Sequence, residues 1–323
     1  MSAPGPVRRA ARLPYHAARH RVKRVRVLAR AARKRGFSHH ARRLHLIATL
    51  PTTVFFLFLH ADVHPAYRMS WRRRYALALR MLRTTRHVIT GTTYKAHLAI
   101  AVKLLEVPPE VEGDVVECGC YNGGSTANLS LICEIVGRRL VAYDSFEGLP
   151  EATEGDIYAT EFTAGAFRGE LETVRANVAR FGAIGSCEFR KGWFEDTLPD
   201  HDGPVVLCFL DVDYQASLRD CILNLWPKIT EKGYVFIDEY VLLDYCALFF
   251  SERFWREAFD TTPPGLIGAG SGVGVGEHYL GPAHEQRFRG PGSVAYTRKD
   301  FSGHWAYFPE AEGKRDDSLQ SRD

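Results

Sequence analysis

The sequence predicts an α/β fold built on a mostly parallel sheet, and three features of residues 113–310 predict it. Short apolar runs alternate with helical periodicity. Those runs lack the in–out alternation of half-exposed strands, as expected for strands covered on both faces. Acidic residues gather at their C-terminal ends, where parallel α/β sheets bind ligands.

Taken in order, "DVVECG" is a buried strand that runs through "CYNGGS" into the helical "TANLSLICEIV". "RLVAYD" is a second strand ending at Asp144, and "GELETVRANVARFG" is an amphipathic helix stopped by Gly182. "CEFR" is a brief strand before "KGWFEDTLP", and "PVVLCFLDVD" is an apolar strand ending in Asp211 and Asp213. "ASLRDCILNLWPKI" is a helix, "GYVFIDEY" a strand ending in Asp238 and Glu239, "LFFSERFWREAF" a helix and "GSVAYTRKD" the last strand. Upstream, residues 70–91 and 94–107 read as two helices, the second stopped by Pro108-Pro109, that pack on this domain. The chain therefore divides into an extension (1–69), packing helices (70–112), the α/β domain (113–310) and a tail (311–323).

The first loop carries the chemistry. Glu117 closes the first strand, and Gly119, Gly123 and Gly124 let the backbone approach a ligand at the start of the next helix. Asp144, at the end of the second strand, suits the two hydroxyls of a ribose. A nicotinamide dinucleotide fits the same layout, but the loop is not G-x-G-x-x-G, and Glu117 would face a pyrophosphate with like charge. A cationic nucleoside such as S-adenosylmethionine fits better. Asp211, Asp238 and Glu239 form an all-oxygen set at neighbouring strand ends, which favours Mg²⁺ over zinc. Asp213 competes for ligand duty, although capping the helix near Ala216 is the preferred reading for it.

Charge divides the chain sharply. Of 42 Lys and Arg, 21 fall in residues 1–87 beside a single acid, Asp62, whereas residues 88–323 balance to about −16. The apolar run 46–59, broken by Pro51, is shorter than the ~20 residues a membrane span needs. The basic segment reads as a solvated tail, or as a peripheral contact with an anionic membrane through residues 1–60. An organelle transit peptide stays open, and nucleic acid is disfavoured for want of a binding module or interleaved aromatics. Seven scattered cysteines form neither a disulfide framework nor a zinc pattern, which points to a reducing, cytoplasmic setting.

The ordered set "GDVVECGCYNGGS" (113–125), "YDSFEGLPE" (143–151), "GELETVRANVARFG" (169–182), "KGWFEDTLP" (191–199), "LDVDYQASLRD" (210–220) and "GYVFIDEY" (233–240) resembles the macrocin O-methyltransferase (TylF-type) family of class I S-adenosylmethionine-dependent methyltransferases. The resemblance implies a Rossmann-like, seven-stranded sheet and Mg²⁺-assisted methyl transfer to a hydroxyl of a small molecule or sugar-bearing natural product. It implies a cofactor set of Glu117, Gly119, Tyr121, Gly123, Ser125, Asp144, Ser145, Trp193, Phe194 and Asp211, with Trp193 and Phe194 near the adenine. It puts Asp211, Asp238 and Glu239 at the metal, and Asp211 with Tyr214 at the reaction centre. Glu239 replaces the family's usual aspartate.

Tyr214, His278, Glu161 and Asp156 are the candidates for a general base, each more readily explained as a structural or loop residue. The loop 150–168 and the segment 263–282 border the acceptor, and "GAGSGVGVG" reads as a lid rather than a phosphate loop. Two rivals are carried forward. One is a non-catalytic binding protein with a degenerate methyltransferase domain tethered by the basic segment; the other is an NAD-dependent oxidoreductase, disfavoured by Glu117. Self-association into a homo-oligomer is left open.

Overall fold

A computed structural model describes residues 44–153, 156, 162–238, 240, 243–268, 278–279 and 294–299. The chain falls into two units, Met1–Thr49 and Leu50–Asp323. In the first, residues 44–48 are helical, and the Thr49 hydroxyl donates to the His45 carbonyl at 2.7 Å.

The second unit opens with α1 (Leu50–Leu59), which lies inside the 1–69 segment that the sequence assigns to the extension. α2 (Trp71–His87) starts at Ser70, whose hydroxyl accepts the Arg73 amide, and α3 (Tyr94–Glu106) ends just before Pro108. These match the two helices expected from residue 70. α3 is buried along nearly its whole length between α2 and the first helix of the α/β domain, which explains its Ala- and Leu-rich sequence.

The domain follows as β1 (Asp114–Cys118), α4 (Gly124–Val136), β2 (Leu140–Asp144), α5 (Leu171–Phe181), β3 (Cys187–Lys191), α6 (Phe194–Thr197), β4 (Val205–Leu210), α7 (Gln215–Leu225) and β5 (Ile229–Ile237). Then come α8 (Leu243–Ala247), α9 (Glu252–Phe259) and the strands β6 (Ile267–Gly268), β7 (His278–Tyr279) and β8 (Ala295–Arg298). The sheet order is β3-β2-β1-β4-β5-β8-β6-β7. β1 to β5 are parallel; β8 runs antiparallel to β5, and the two-residue β6 and β7 extend that edge to eight strands. The fold is thus the Rossmann-like, mostly parallel one expected.

Helices cover both faces. On one, Ala127 of α4 and Val174, Val178 and Phe181 of α5 pack with Ala142. On the other, Leu218, Ile222 and Leu225 of α7 and Trp255 of α9 pack on Val116, Cys208 and Val235. Every residue of β4 is buried, and each large apolar side chain there contributes about 1.5–3 kcal/mol. Strand order reverses between β1 and β4, so a crevice opens at their carboxyl ends.

Candidate active site

Strand register assembles the site. Cys118 pairs with Tyr143 on one side and Leu210 on the other, and Leu210 pairs with Ile237. One residue further on, Gly119, Asp144, Asp211 and Asp238 therefore stand in a row. Backbone bonds carry the ladder across that row: Gly119 N to Tyr143 O at 2.9 Å, Asp211 N to Cys118 O at 3.0 Å and Asp238 N to Leu210 O at 3.3 Å. Gly119 has φ +90°, and a Cβ there would lie 1.9 Å from the Asp211 carbonyl oxygen, so only glycine fits.

Above the row lies a cavity of about 360 Å³. Of the expected site residues, Gly119, Tyr121, Ser125, Asp144, Ser145, Trp193, Phe194, Asp211 and Asp238 line it. So do Ile89, Thr90 and Gly91 from the turn before α3, Phe162 and Phe167 from the loop after β2, and Ser217 and Asp220 of α7. The lining holds six carboxylates (Asp144, Glu195, Asp211, Asp213, Asp220 and Asp238) and, among the described residues, no Lys, Arg or His. Such a pocket favours a cation and repels a phosphate.

Asp144 has a second task. Its Oδ2 accepts the Cys120 and Tyr121 amides at 2.6 and 3.3 Å, and its Oδ1 accepts the Phe146 amide at 2.7 Å. Burial raises its pKa, and these three donors oppose the rise. The carboxylate thereby holds the glycine loop in shape, while its oxygens keep lone pairs for further donors. Gly169 brings the following loop against this one: a Cβ there would meet the Tyr121 carbonyl at 1.6 Å. The close approach sets Phe167 edge-on to Tyr121, and Phe162 against Phe167, with ring centroids 5.7 and 5.0 Å apart.

Glu117 and Gly123 do not line the cavity. Gly123 is the N-cap of α4. Glu117 is fully buried beneath the glycine loop, and neither carboxylate oxygen has a hydrogen-bond partner among the described residues. Burial pushes its pKa up to about 7; the Ser125 and Thr126 hydroxyls act against that, and Asp144 adds to it. These hydroxyls favour the carboxylate by proximity, although neither reaches it in hydrogen-bonding geometry.

Tyr214 also lies outside the lining. Its ring is buried, and its hydroxyl has no hydrogen-bond partner among the described residues. Burial first, then the charges of Asp156, Asp213 and Glu151, hold the phenol above its ordinary pKa, which is the wrong direction for a base at neutral pH. The preferred capping role for Asp213 is corrected: the Gln215 and Ala216 amides at the start of α7 donate to Asp156 Oδ1 at 2.8 and 3.4 Å. Asp156 Oδ2 accepts the amide and the hydroxyl of Thr153, each at 2.7 Å, so this base candidate is a buried helix cap. Asp213 instead faces the cavity from a left-handed backbone with φ 57°. Glu239, Glu161 and the side chain of His278 lie outside the described residues, as do 269–277 of the glycine-rich segment read as a lid.

Sequence reasoning missed how the turn 88–93 is anchored. The Thr90 and Thr92 hydroxyls lie 3.2 Å apart, and Thr92 Oγ1 is 2.7 Å from His97 Nε2. Asn128 Nδ2 donates to His97 Nδ1 at 2.8 Å and to the Met81 carbonyl at 3.3 Å. That donation leaves Nε2 protonated and donating to Thr92. Complete burial lowers the His97 pKa to about 3, so the imidazole is neutral. It ties the turn to α2, α3 and α4.

The fold and this pocket define a Rossmann-like domain of the methyltransferase kind, with its ligand crevice at the β1/β4 reversal. The chain belongs to the macrocin-O-methyltransferase (TylF) family, whose model matches residues 76–264. It is 37% identical over 171 residues to the 8-demethyl-8-(2,3-dimethoxy-alpha-L-rhamnosyl)-tetracenomycin-C 4'-O-methyltransferase of Streptomyces olivaceus, covering 50% of this chain and 64% of that one. It is 30% identical over 171 residues to the demethyldecarbamoylnovobiocin O-methyltransferase of Streptomyces niveus, covering 47% of this chain and 65% of that one. The chain thus spans just under two thirds of the length of these curated relatives. Among solved structures, that of the O-methyltransferase NovP superposes with a TM-score of 0.52 at 23% identity, covering 79% of this chain and 99% of that one, a likeness of fold.

Proposed function

We propose that this chain is an S-adenosylmethionine-dependent O-methyltransferase that methylates a hydroxyl of a small molecule, in the class of sugar-bearing natural products, with Mg²⁺ assisting. One observation carries the reading: a single cavity at the β1/β4 reversal is lined by six carboxylates and no described cation. The buried Glu117 carboxylate, without a hydrogen-bond partner among the described residues, adds negative charge behind the lining and supports a positively charged ligand in the cavity. Family membership supports the cofactor, and the named activities of the two Streptomyces relatives support an acceptor hydroxyl.

S-adenosylmethionine supplies an electrophilic methyl group, and Mg²⁺ supplies a Lewis acid that lowers the pKa of an acceptor hydroxyl. In this reading Asp144 orders the glycine loop and takes ribose hydroxyls, and Trp193 and Phe194 flank the adenine. Asp211 and Asp238 are the protein's oxygen donors to Mg²⁺. Among the described residues no three His, Cys, Asp or Glu cluster at metal-holding distance. Two carboxylates still fit Mg²⁺, which commonly takes one or two and completes its shell with water and substrate oxygens. Asp211 also stands ready for the proton that the acceptor oxygen loses as it bonds to the methyl carbon. Phe162, Phe167 and Tyr121 form an apolar wall that excludes water from the reacting atoms.

The test is incubation with methyl-labelled S-adenosylmethionine and a panel of glycosylated and unglycosylated phenols and alcohols, read by mass spectrometry with and without EDTA. Label on an acceptor oxygen, lost with EDTA and restored by Mg²⁺, is the expected result. Cofactor retained but never consumed across the panel would favour the non-catalytic rival. Mn²⁺ bound by the wild type but not by Asp238→Ala, seen by electron paramagnetic resonance, checks the metal donors without activity.

A further inference from the structure

α1 is apolar on both sides. Leu50, Thr53, Val54 and Phe58 face the protein, while Phe55, Phe56 and Leu59 on the opposite arc remain 43–47% exposed. Trp71, 44% exposed, stacks on Phe55 with centroids 6.2 Å apart and links this arc to α2. The outward side of α2 then presents Arg72, Arg80, Arg83 and Arg86. The Arg74 guanidinium lies 4.8 Å from the centres of both the Phe58 and Trp71 rings. Residues 50–87 hold seven arginines against the one acid, Asp62.

We infer that this face is a peripheral docking surface for an anionic phospholipid membrane, with Phe55, Phe56, Leu59 and Trp71 entering the headgroup boundary and the α2 arginines meeting lipid phosphates. An exposed apolar arc rimmed by cations is the pattern of an interfacial helix, and among the described residues no helix is long and apolar enough to cross a membrane. Charge selects the occupant. A second copy docked face to face would oppose Arg72, Arg80, Arg83 and Arg86 with their own counterparts, whereas an anionic bilayer complements them. Residues 88–323, at about −16, are repelled by the same surface, which confines contact to the basic helices.

The test is flotation of the full chain with phosphatidylcholine vesicles containing 30% phosphatidylglycerol, against pure phosphatidylcholine. Binding to the first, weak binding to the second and loss in 0.5 M NaCl are expected. Phe55→Ser/Phe56→Ser should weaken it about tenfold, as should Arg72→Ser/Arg83→Ser, with far-ultraviolet circular dichroism unchanged. Equal binding to both vesicle types, no binding, or full binding by the phenylalanine variant would each overturn the inference. So would a wild-type dimer that the phenylalanine variant converts to monomer without any vesicle binding, since a second copy would then cover the face.

Discussion

Glu117 and His97 are buried ionisable groups with opposite consequences for stability. His97 has its pKa lowered to about 3, below the ordinary value near 6.5, so the unfolded chain binds the extra proton between those values. Its contribution is complete above pH 6.5 and is lost as pH falls toward 3, by at most about 1.4 kcal/mol per unit. Glu117 is raised from 4.5 to about 7, so the folded chain binds the extra proton and stability falls as pH rises through that window. Between 4.5 and 6.5 the two oppose each other, and they separate only above and below. Glu117→Gln should therefore stabilise the ligand-free protein at pH 8 by up to about 3 kcal/mol, measured by urea unfolding, while weakening cofactor binding. A variant that lost stability at pH 8 would show that the carboxylate is satisfied in a way the geometry does not reveal. His97→Ala should cost about 3 kcal/mol at pH 7, from the cavity and from stranding Thr92 and Asn128, read as a lower urea midpoint.

The elements divide into those readable from sequence and those assembled at long range. Asp144, Asp211 and Asp238 were readable because each stands at the C-terminal end of an apolar strand, Asp144 as its last residue and the other two just past it, and the parallel register brings those ends into a shared plane. Helices α2 and α3 were equally plain, from the helical pattern that begins at residue 70 and from the Pro108-Pro109 stop. The capping of α7 was not: Asp156 stands 59 residues before Gln215, whereas Asp213 had only proximity along the chain to recommend it. The same holds for Thr90 and Gly91, which reach the cavity through the packing of α3, and for Phe162 and Phe167, which are positioned by the contact of Gly169 with Tyr121. Asp156→Ala, which removes the α7 cap and the anchor of Thr153, should cost about 1–2 kcal/mol in thermal or urea unfolding. Gly119→Ala should be worse, about 3 kcal/mol or more, because its Cβ collides with backbone that carries Asp211.

For the whole molecule, the dominant feature is the separation of charge. Under the two proposals above, the basic N-terminal part suits an anionic surface and the acidic remainder a cationic cofactor. The acidic balance was legible by counting, but its concentration around one cavity appears only when five parallel strands bring their ends together. Isothermal titration calorimetry of the wild type with S-adenosylmethionine, beside Trp193→Ala and Asp144→Asn variants whose melting is measured in parallel, tests the central claim most directly. One site per chain is predicted, weakened at least about tenfold in each variant while the protein stays folded. Absence of binding by the folded wild type, or full affinity in both variants, would contradict it.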